Sequence, residues 1–150
     1  MTVIFSKTCE YSLQIVLYLS IKPEMRYTAT EVSEELKMPK ENVAKILQML
    51  TDSGIIGSKK GRGGGFFLAR KPSEIRLIDV VEAIDGFKLF QSCVLGFPGC
   101  SDTDPCPVHN KWGKLRDEAF KMLSMENLEA LKSVTAGKLK MKIDEGDKVD

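Results

Sequence analysis

Four glycines and one arginine fill five consecutive positions, Gly61-Arg62-Gly63-Gly64-Gly65. They separate two short runs, Ile55-Ile56-Gly57-Ser58-Lys59-Lys60 and Phe66-Phe67-Leu68-Ala69-Arg70. A helix does not pass through such a stretch, because glycine loses more backbone freedom on ordering than any other residue. With β-branched and aromatic residues on either side, it reads as a flexible hairpin between two short strands. A phosphate-binding loop is the competing reading. The G-x-x-x-x-G-K-[ST] spacing is missing and the stretch does not lead into a helix, which argues against it.

Three helical patterns precede the hairpin. Over 7–21, Tyr11, Leu13, Ile15, Val16, Leu17, Leu19 and Ile21 cover nearly every face, the pattern of a central helix, and Lys22-Pro23 ends it. Thr28-x-x-Glu31 has the capping-box pattern and opens a short helix to about residue 37, with Val32 and Leu36 on one face. Pro39 suits the first position of the next helix, 39–53. There Val43, Ile46, Leu47 and Leu50 fall at i, i+3, i+4 and i+7, and Gly54 is placed to cap the end. Three helices followed by a basic hairpin is the order of a winged helix-turn-helix, whose second motif helix enters the major groove. Lys40, Glu41, Asn42, Lys45 and Gln48 on that helix, with Lys59, Lys60 and Arg62 on the wing, are the candidate DNA contacts. An exposed Asn can pair with adenine and a Lys with guanine, while wing cations reach phosphates or a minor groove. The plainer role for the same residues is a solvated helix face.

Charge is distributed to match. Residues 1–71 carry 11 Lys/Arg against 7 Asp/Glu, and residues 72–150 carry 11 against 14. The segment 55–71 has five basic residues and no acid, a local footprint of the kind phosphate binding needs. The apolar run 13–21 falls well short of the roughly 20 residues of a membrane span. Glu10 before it and Lys22-Pro23-Glu24 after it do not fit a signal peptide, so a soluble cytoplasmic protein that does not engage a membrane is expected.

Beyond the wing, 77–85 reads as a helix stopped by Gly86, and 110–125 as a longer one. In the longer helix Trp112, Leu115, Ala119 and Met122 run at 3-4-3 spacing, a coiled-coil-like seam that Phe120 and Leu123 widen. The stripe either packs on its own domain or forms a homodimer seam. The dimer is the expectation, since dimeric helix-turn-helix proteins read two half-sites. A short helix over 127–133 and a charged flexible tail over 136–150 complete the chain. The expected fold is mainly α with a small β-hairpin. It comprises a winged helix-turn-helix DNA-binding domain over 1–76, and a helix, cysteine loop and dimerisation helix over 77–135.

Between those helices lies C-x6-C-x5-C-x2-H, formed by Cys93, Cys100, Cys106 and His109. It holds three of the four cysteines and the one histidine of the chain, in a Gly/Pro-rich loop. Apolar core cysteines sit at helix or strand periods, whereas these sit in a loop. Thiolates and imidazole suit zinc, iron and iron–sulfur clusters. A Cys3His set also serves structural zinc, although the close C-x2–4-C knuckle is missing. A cluster-free thiol–disulfide sensor using Cys9 or the loop cysteines is a further reading. A thiol redox enzyme fits worse, because there is no C-x-x-C pair. The expectation is a regulator rather than an enzyme.

The wing Lys60-Gly61-Arg62-Gly63-Gly64-Gly65-Phe66, the stretch Leu77-Ile78-Asp79-Val80-Val81-Glu82-Ala83-Ile84-Asp85-Gly86, the opening Ser6-Lys7-Thr8-Cys9-Glu10-Tyr11-Ser12-Leu13 and the three-cysteine loop resemble the Rrf2 family of bacterial transcription regulators, over about residues 3–135. Its iron–sulfur members of the IscR and NsrR type carry the loop. The resemblance implies a homodimer on a palindromic DNA operator, with Cys93, Cys100 and Cys106 holding an iron–sulfur cluster and His109 matching a family histidine ligand. Mixed Cys/His ligation favours a two-iron two-sulfur centre, with four-iron four-sulfur the second form and zinc the other metal. Glu10 matches a carboxylate that some relatives donate from the partner subunit. Its plainer role is a surface carboxylate favoured by the helix dipole. Two departures stand out. The first cysteine gap is one residue longer than in the IscR-type pattern, and Ala44 falls where that type has a base-reading glutamate.

Overall fold

The computed structural model describes residues 4–147, with side chains described to residue 139. The first helix, α1 (Lys7–Ile21), is the central one, as its all-round apolar pattern requires, and buries Ile15, Val16 and Leu19. Ser6 caps its start, its Oγ accepting from the Cys9 N–H at 3.0 Å. Two hydroxyls that would otherwise be costly inside are satisfied by the helix itself. Ser12 Oγ donates to the Thr8 carbonyl at 2.7 Å and Ser20 Oγ to the Leu17 carbonyl at 2.6 Å.

The helix-turn-helix follows as α2 (Ala29–Leu36) and α3 (Lys40–Asp52). Thr28 Oγ1 accepts from the Glu31 N–H at 3.1 Å, so the expected cap forms. The turn is locked from both sides, since the Met38 N–H donates to the Ser33 carbonyl at 3.0 Å and Ser33 Oγ donates to the Met38 carbonyl at 2.6 Å. Met38 is a core side chain, 5% exposed. Lys37 takes a left-handed conformation at φ 54, which costs a non-glycine residue about 1 kcal/mol. Pro39 stands one position earlier than its sequence suggests. It is the cap residue, with extended ψ of 129, and the helix starts at Lys40. The stripe of α3 is buried as expected at Val43, Ile46, Leu47 and Leu50, a burial of about 1.5–3 kcal/mol for each side chain. At its end the Ile55 N–H reaches the Leu50 carbonyl at 3.2 Å and the Gly54 N–H the Thr51 carbonyl at 3.1 Å, with Gly54 at φ +80. That is a Schellman cap, and buried Ile55 is its apolar contact.

The wing is an antiparallel pair, β1 (Ile56–Lys59) and β2 (Gly65–Leu68), with Ile56 opposite Leu68 and Lys59 opposite Gly65. Its outer edge is held from an unexpected direction. Tyr27, just before α2, exchanges both backbone hydrogen bonds with Phe66, at 3.0 and 2.7 Å. A Cβ at position 65 would lie 2.8 Å from the Tyr27 carbonyl oxygen, and φ there is +141, so this crossing requires glycine.

A 3-10 turn (Pro72–Glu74) leads to α4 (Leu77–Ile84) and a short helix, α5 (Lys88–Gln91), that periodicity did not predict. The long helix α6 (His109–Met125) starts at the histidine itself. The 127–133 helix is longer than expected. As α7 it runs Leu128–Asp147 and packs along α1, with Leu128 fully buried. The stretch expected as a tail from 136 is therefore helical to Asp147, and its last residues, 148–150, lie outside the described residues. Leu123, expected to widen a dimer seam, turns inward and is 3% exposed in a cluster with Cys9, Ile78 and Val81. Phe120 packs edge-on against Phe87 and Phe90, with ring centres 6.0 and 5.1 Å away. Among the described residues no helix is long and apolar enough to cross a membrane.

Candidate metal centre and DNA interface

The loop between α5 and α6 folds back on itself and brings three thiols together. The Cys93, Cys100 and Cys106 sulfurs all lie within 4.8 Å of one another, and none is in a disulfide. Cys93 Sγ is 3.6 Å from Cys106 Sγ. Local turns set this convergence. The Gly96 N–H donates to the Cys93 carbonyl at 3.1 Å, Ser101 and Asp104 exchange backbone bonds at 3.2 Å, and the His109 N–H caps back to the Cys106 carbonyl at 3.1 Å. His109 stands beside Cys100, its Nδ1 3.3 Å from that sulfur, while its Nε2 faces Asp102 Oδ1 at 2.9 Å. Trp112 Nε1 donates to the Ser92 carbonyl at 2.9 Å and ties α6 to the residue before Cys93.

These thiols are not equivalent. At Cys93 burial pushes the pKa up, but N–H groups of Phe97 and Leu95 and the thiols of Cys106 and Cys100 outweigh it, leaving it at about 7. Cys106 is pushed up, by burial first and then by its two sulfur neighbours, against a lowering bond from the Val108 N–H. A cavity of about 300 Å³ holds the three sulfurs and His109, with Arg116 on its wall. The donor set fits a soft metal group. Two thiolates on one tetrahedral ion at about 2.3 Å lie about 3.8 Å apart, close to the Cys93–Cys106 spacing. Three converging sulfurs beside one imidazole equally fit an iron–sulfur cluster with mixed ligands.

Two residues differ from their sequence readings. Cys9 is fully buried and its thiol is raised to about 12, by burial first and then by Asp85 and Glu10. A neutral core thiol is a poor redox sensor, so that reading does not extend to Cys9. Glu10 is not a freely solvated carboxylate. It is half-buried, and its Oε1 is enclosed without a hydrogen-bond partner.

Lys40, Glu41, Asn42, Lys45, Lys59, Lys60 and Arg62 are all exposed along α3 and the wing. Gln48 is exposed too, its amide donating to Asp52 Oδ1 at 2.9 Å. Lys7, Thr8 and Tyr11 of α1 share a shallow groove with Asn42 and Lys45. The Lys7 ammonium lies 5.0 Å from the Tyr11 ring centre, and Arg26 lies 5.6 Å from that of Phe67 on the wing. Sequence reasoning missed Lys7, Thr8, Tyr11 and Arg26, because only the packing of α1 and of the Tyr27 crossing brings them to this face. Of the residues expected in a dimer seam, Leu115 and Met122 are 60% and 55% exposed, while Trp112 and Ala119 are half-buried.

A winged helix-turn-helix with a thiol cluster in its C-terminal half defines a DNA-binding transcription regulator. The Rrf2 family, described as iron-dependent transcriptional regulators, matches residues 5–133, and the chain belongs to it. Over 117 residues it is 32% identical to an HTH-type transcriptional regulator of Aquifex aeolicus, covering 77% of this chain and 81% of that protein. The transcriptional regulator IscR of Photorhabdus laumondii is 31% identical over 101 residues, 67% of this chain and 61% of that one. In fold, CymR, the global cysteine regulator of B. subtilis, superposes with a TM-score of 0.73 at 21% identity, covering 89% of this chain and 98% of that one.

Proposed function

We propose that the protein is a homodimeric, sequence-specific DNA-binding regulator of transcription. Its DNA affinity is set by an iron–sulfur cluster on Cys93, Cys100 and Cys106, with His109 as fourth ligand. The convergence of three free thiols within 4.8 Å, in a loop between the winged helix and α6, carries this reading. When bound, a thiolate-held cluster supplies one-electron chemistry and sensitivity to oxidants, nitric oxide and iron–sulfur supply. The two-iron two-sulfur form suits the mixed ligand set.

The chain's own residues supply the rest. Lys40, Asn42, Lys45 and Gln48 face the major groove, and Lys59, Lys60 and Arg62 reach phosphates, with Lys7 and Arg26 widening that cationic face. Leu115 and Met122 meet their counterparts in a second copy, since two such exposed side chains on one helix face are worth covering. The route from loop to DNA-binding half is short. Asp85, at the end of α4, accepts from both the Ser6 N–H, at 2.9 Å, and the Ser6 hydroxyl, at the cap of α1. The Phe87–Phe90–Phe120 stack ties α5 to α6. A loop that changes shape moves α5, and α5 adjoins the α1–α4 latch.

Anaerobic purification followed by iron, sulfide and zinc analysis and a visible spectrum tests the ligand assignment. Wild type binds iron and sulfide and absorbs in the visible, and Cys93→Ser, Cys100→Ser, Cys106→Ser and His109→Ala each lose or shift that absorption, while Glu10→Ala does not. If Glu10→Ala loses the chromophore and His109→Ala keeps it, the carboxylate is the fourth ligand. A colourless protein with one zinc per chain establishes the structural-zinc reading, with which the 3.6 Å Cys93–Cys106 spacing is compatible.

A further inference from the structure

Arg116 is the unexplained charge of this site. It lies two turns along α6 from His109, on the same face, and lines the cavity that holds the three sulfurs. Its Nε is buried and has no hydrogen-bond partner. One other nitrogen, Nη1, lies 3.5 Å from the Ser92 carbonyl, the residue before Cys93. Nη2 lies back over Gly113, 3.6 Å from where a Cβ there would stand. Among the described residues no carboxylate comes within 4.0 Å of it.

A guanidinium stays charged at any physiological pH and offers five N–H donors. Burying part of it without a counter-ion or full hydrogen bonding is unfavourable, so its neighbourhood should supply negative charge. The groups in the same cavity able to carry it are the three thiols and the Asp102 carboxylate, and Asp102 is already engaged with His109 Nε2 at 2.9 Å. Three thiolates with iron and sulfide make a net anionic group, and each added electron makes it more negative. A fixed cation beside it favours the reduced state, because charge-assisted hydrogen bonds strengthen as the acceptor gains charge.

We infer that Arg116 is the positioning counter-charge of the cysteine centre, donating N–H hydrogen bonds to its anionic sulfur ligands and raising the reduction potential of the group they hold. The inference rests on the iron–sulfur reading above. It adds a residue that contributes no metal bond. One unit charge beside a half-exposed site is worth about a tenfold change in an equilibrium, which for a one-electron couple is about 59 mV.

The test is a spectroelectrochemical titration of full-length protein, reconstituted anaerobically with ferrous iron and sulfide, as wild type, Arg116→Gln and Arg116→Lys. Arg116→Gln is expected to lower the midpoint so that the reduced-to-oxidised ratio at fixed potential falls about tenfold. Arg116→Lys, which keeps the charge, should recover most of that ratio. Thermal unfolding of the metal-free proteins, followed in parallel, separates a structural role, which would move the unfolding temperature and leave the potential alone. An unchanged midpoint in Arg116→Gln overturns the inference while leaving the iron–sulfur reading intact. A wild type that takes up no iron or sulfide removes both. Should Arg116→Gln fail to load, loading by Arg116→Lys upholds the requirement for charge, and failure of both variants shows a packing role and overturns the inference.

Discussion

Arg62 sits at the tip of the wing, fully outside the core and free of any ion pair among the described residues, so its removal perturbs little but the contact it makes with a ligand. Each phosphate that a protein cation neutralises on duplex DNA contributes about 0.9 to the slope of log affinity against log salt. One Arg62 per subunit, and two subunits on a two-fold site, make the expected loss of slope in Arg62→Ala about 1.8. Between about 50 and 200 mM salt, wild-type binding should therefore weaken about twelvefold more than that of the variant. Fluorescence anisotropy with a labelled duplex, titrated at four or more salt concentrations, reads this directly. The loss should appear on every sequence tested, because a phosphate contact positions without specifying. A slope unchanged by Arg62→Ala would refute the wing as a phosphate contact. A loss confined to A·T-rich duplexes would move Arg62 from the backbone into a narrow minor groove.

Asn42→Ala should behave differently, costing about 1–3 kcal/mol at one operator position and leaving the salt slope unchanged, as a panel of single-position operator variants would show. In the metal-free protein, Cys93 should react with iodoacetamide half-maximally near pH 7, well before Cys106, while Cys9 stays unlabelled, as peptide mapping across pH 6–10 would report. The sign follows from the folded values. Cys93 is depressed, so what its thiolate adds to stability is complete above its ordinary value of 9.0 and is lost as pH falls through 7. Cys9 is raised, so its neutral thiol stabilises fully below 9.0 and that contribution is lost as pH climbs toward 12. Leu115→Asp combined with Met122→Asp should give a folded monomer by light scattering, and a persistent dimer would place the interface elsewhere. Lys37→Gly should raise stability by about 0.5–1 kcal/mol in urea denaturation, because it relieves a left-handed lysine.

The parts of this fold that could be read from the sequence are those whose signal is local. The i, i+3, i+4, i+7 stripe from Val43 to Leu50 survives as a buried face because one helix decides it. Gly54 and Thr28 act at their own positions, and both cap as their chemistry dictates. The contacts that escaped are made across the chain. Tyr27 joins the wing only because the segment before α2 crosses beside β2 at Phe66. In α6 the 3-4-3 spacing showed an apolar stripe but not its direction. Leu123 faces its own domain, Phe120 touches Phe87 and Phe90 yet stays 41% exposed, and Leu115 and Met122 face out. The charged composition over 136–150 read as a flexible tail, yet α7 runs through it to Asp147, its N-terminal turn pinned by the Leu128 N–H on the Ile75 carbonyl at 2.9 Å. The cysteine loop was legible as a ligand set because residue type alone announces soft donors. The buried Oε1 of Glu10, the Asp102–His109 contact and the placement of Arg116 required three-dimensional packing.

The central claim is that the state of the cysteine centre sets DNA affinity. The most direct measurement is the binding isotherm of one operator duplex, at one salt concentration, with the same preparation before and after anaerobic removal of its iron and sulfide. Cys100→Ser, handled identically, serves as the control. Loaded and stripped wild type are expected to differ at least tenfold in Kd, and Cys100→Ser to show no difference. Identical isotherms for loaded and stripped wild type, with iron and sulfide confirmed in the first, would contradict that claim.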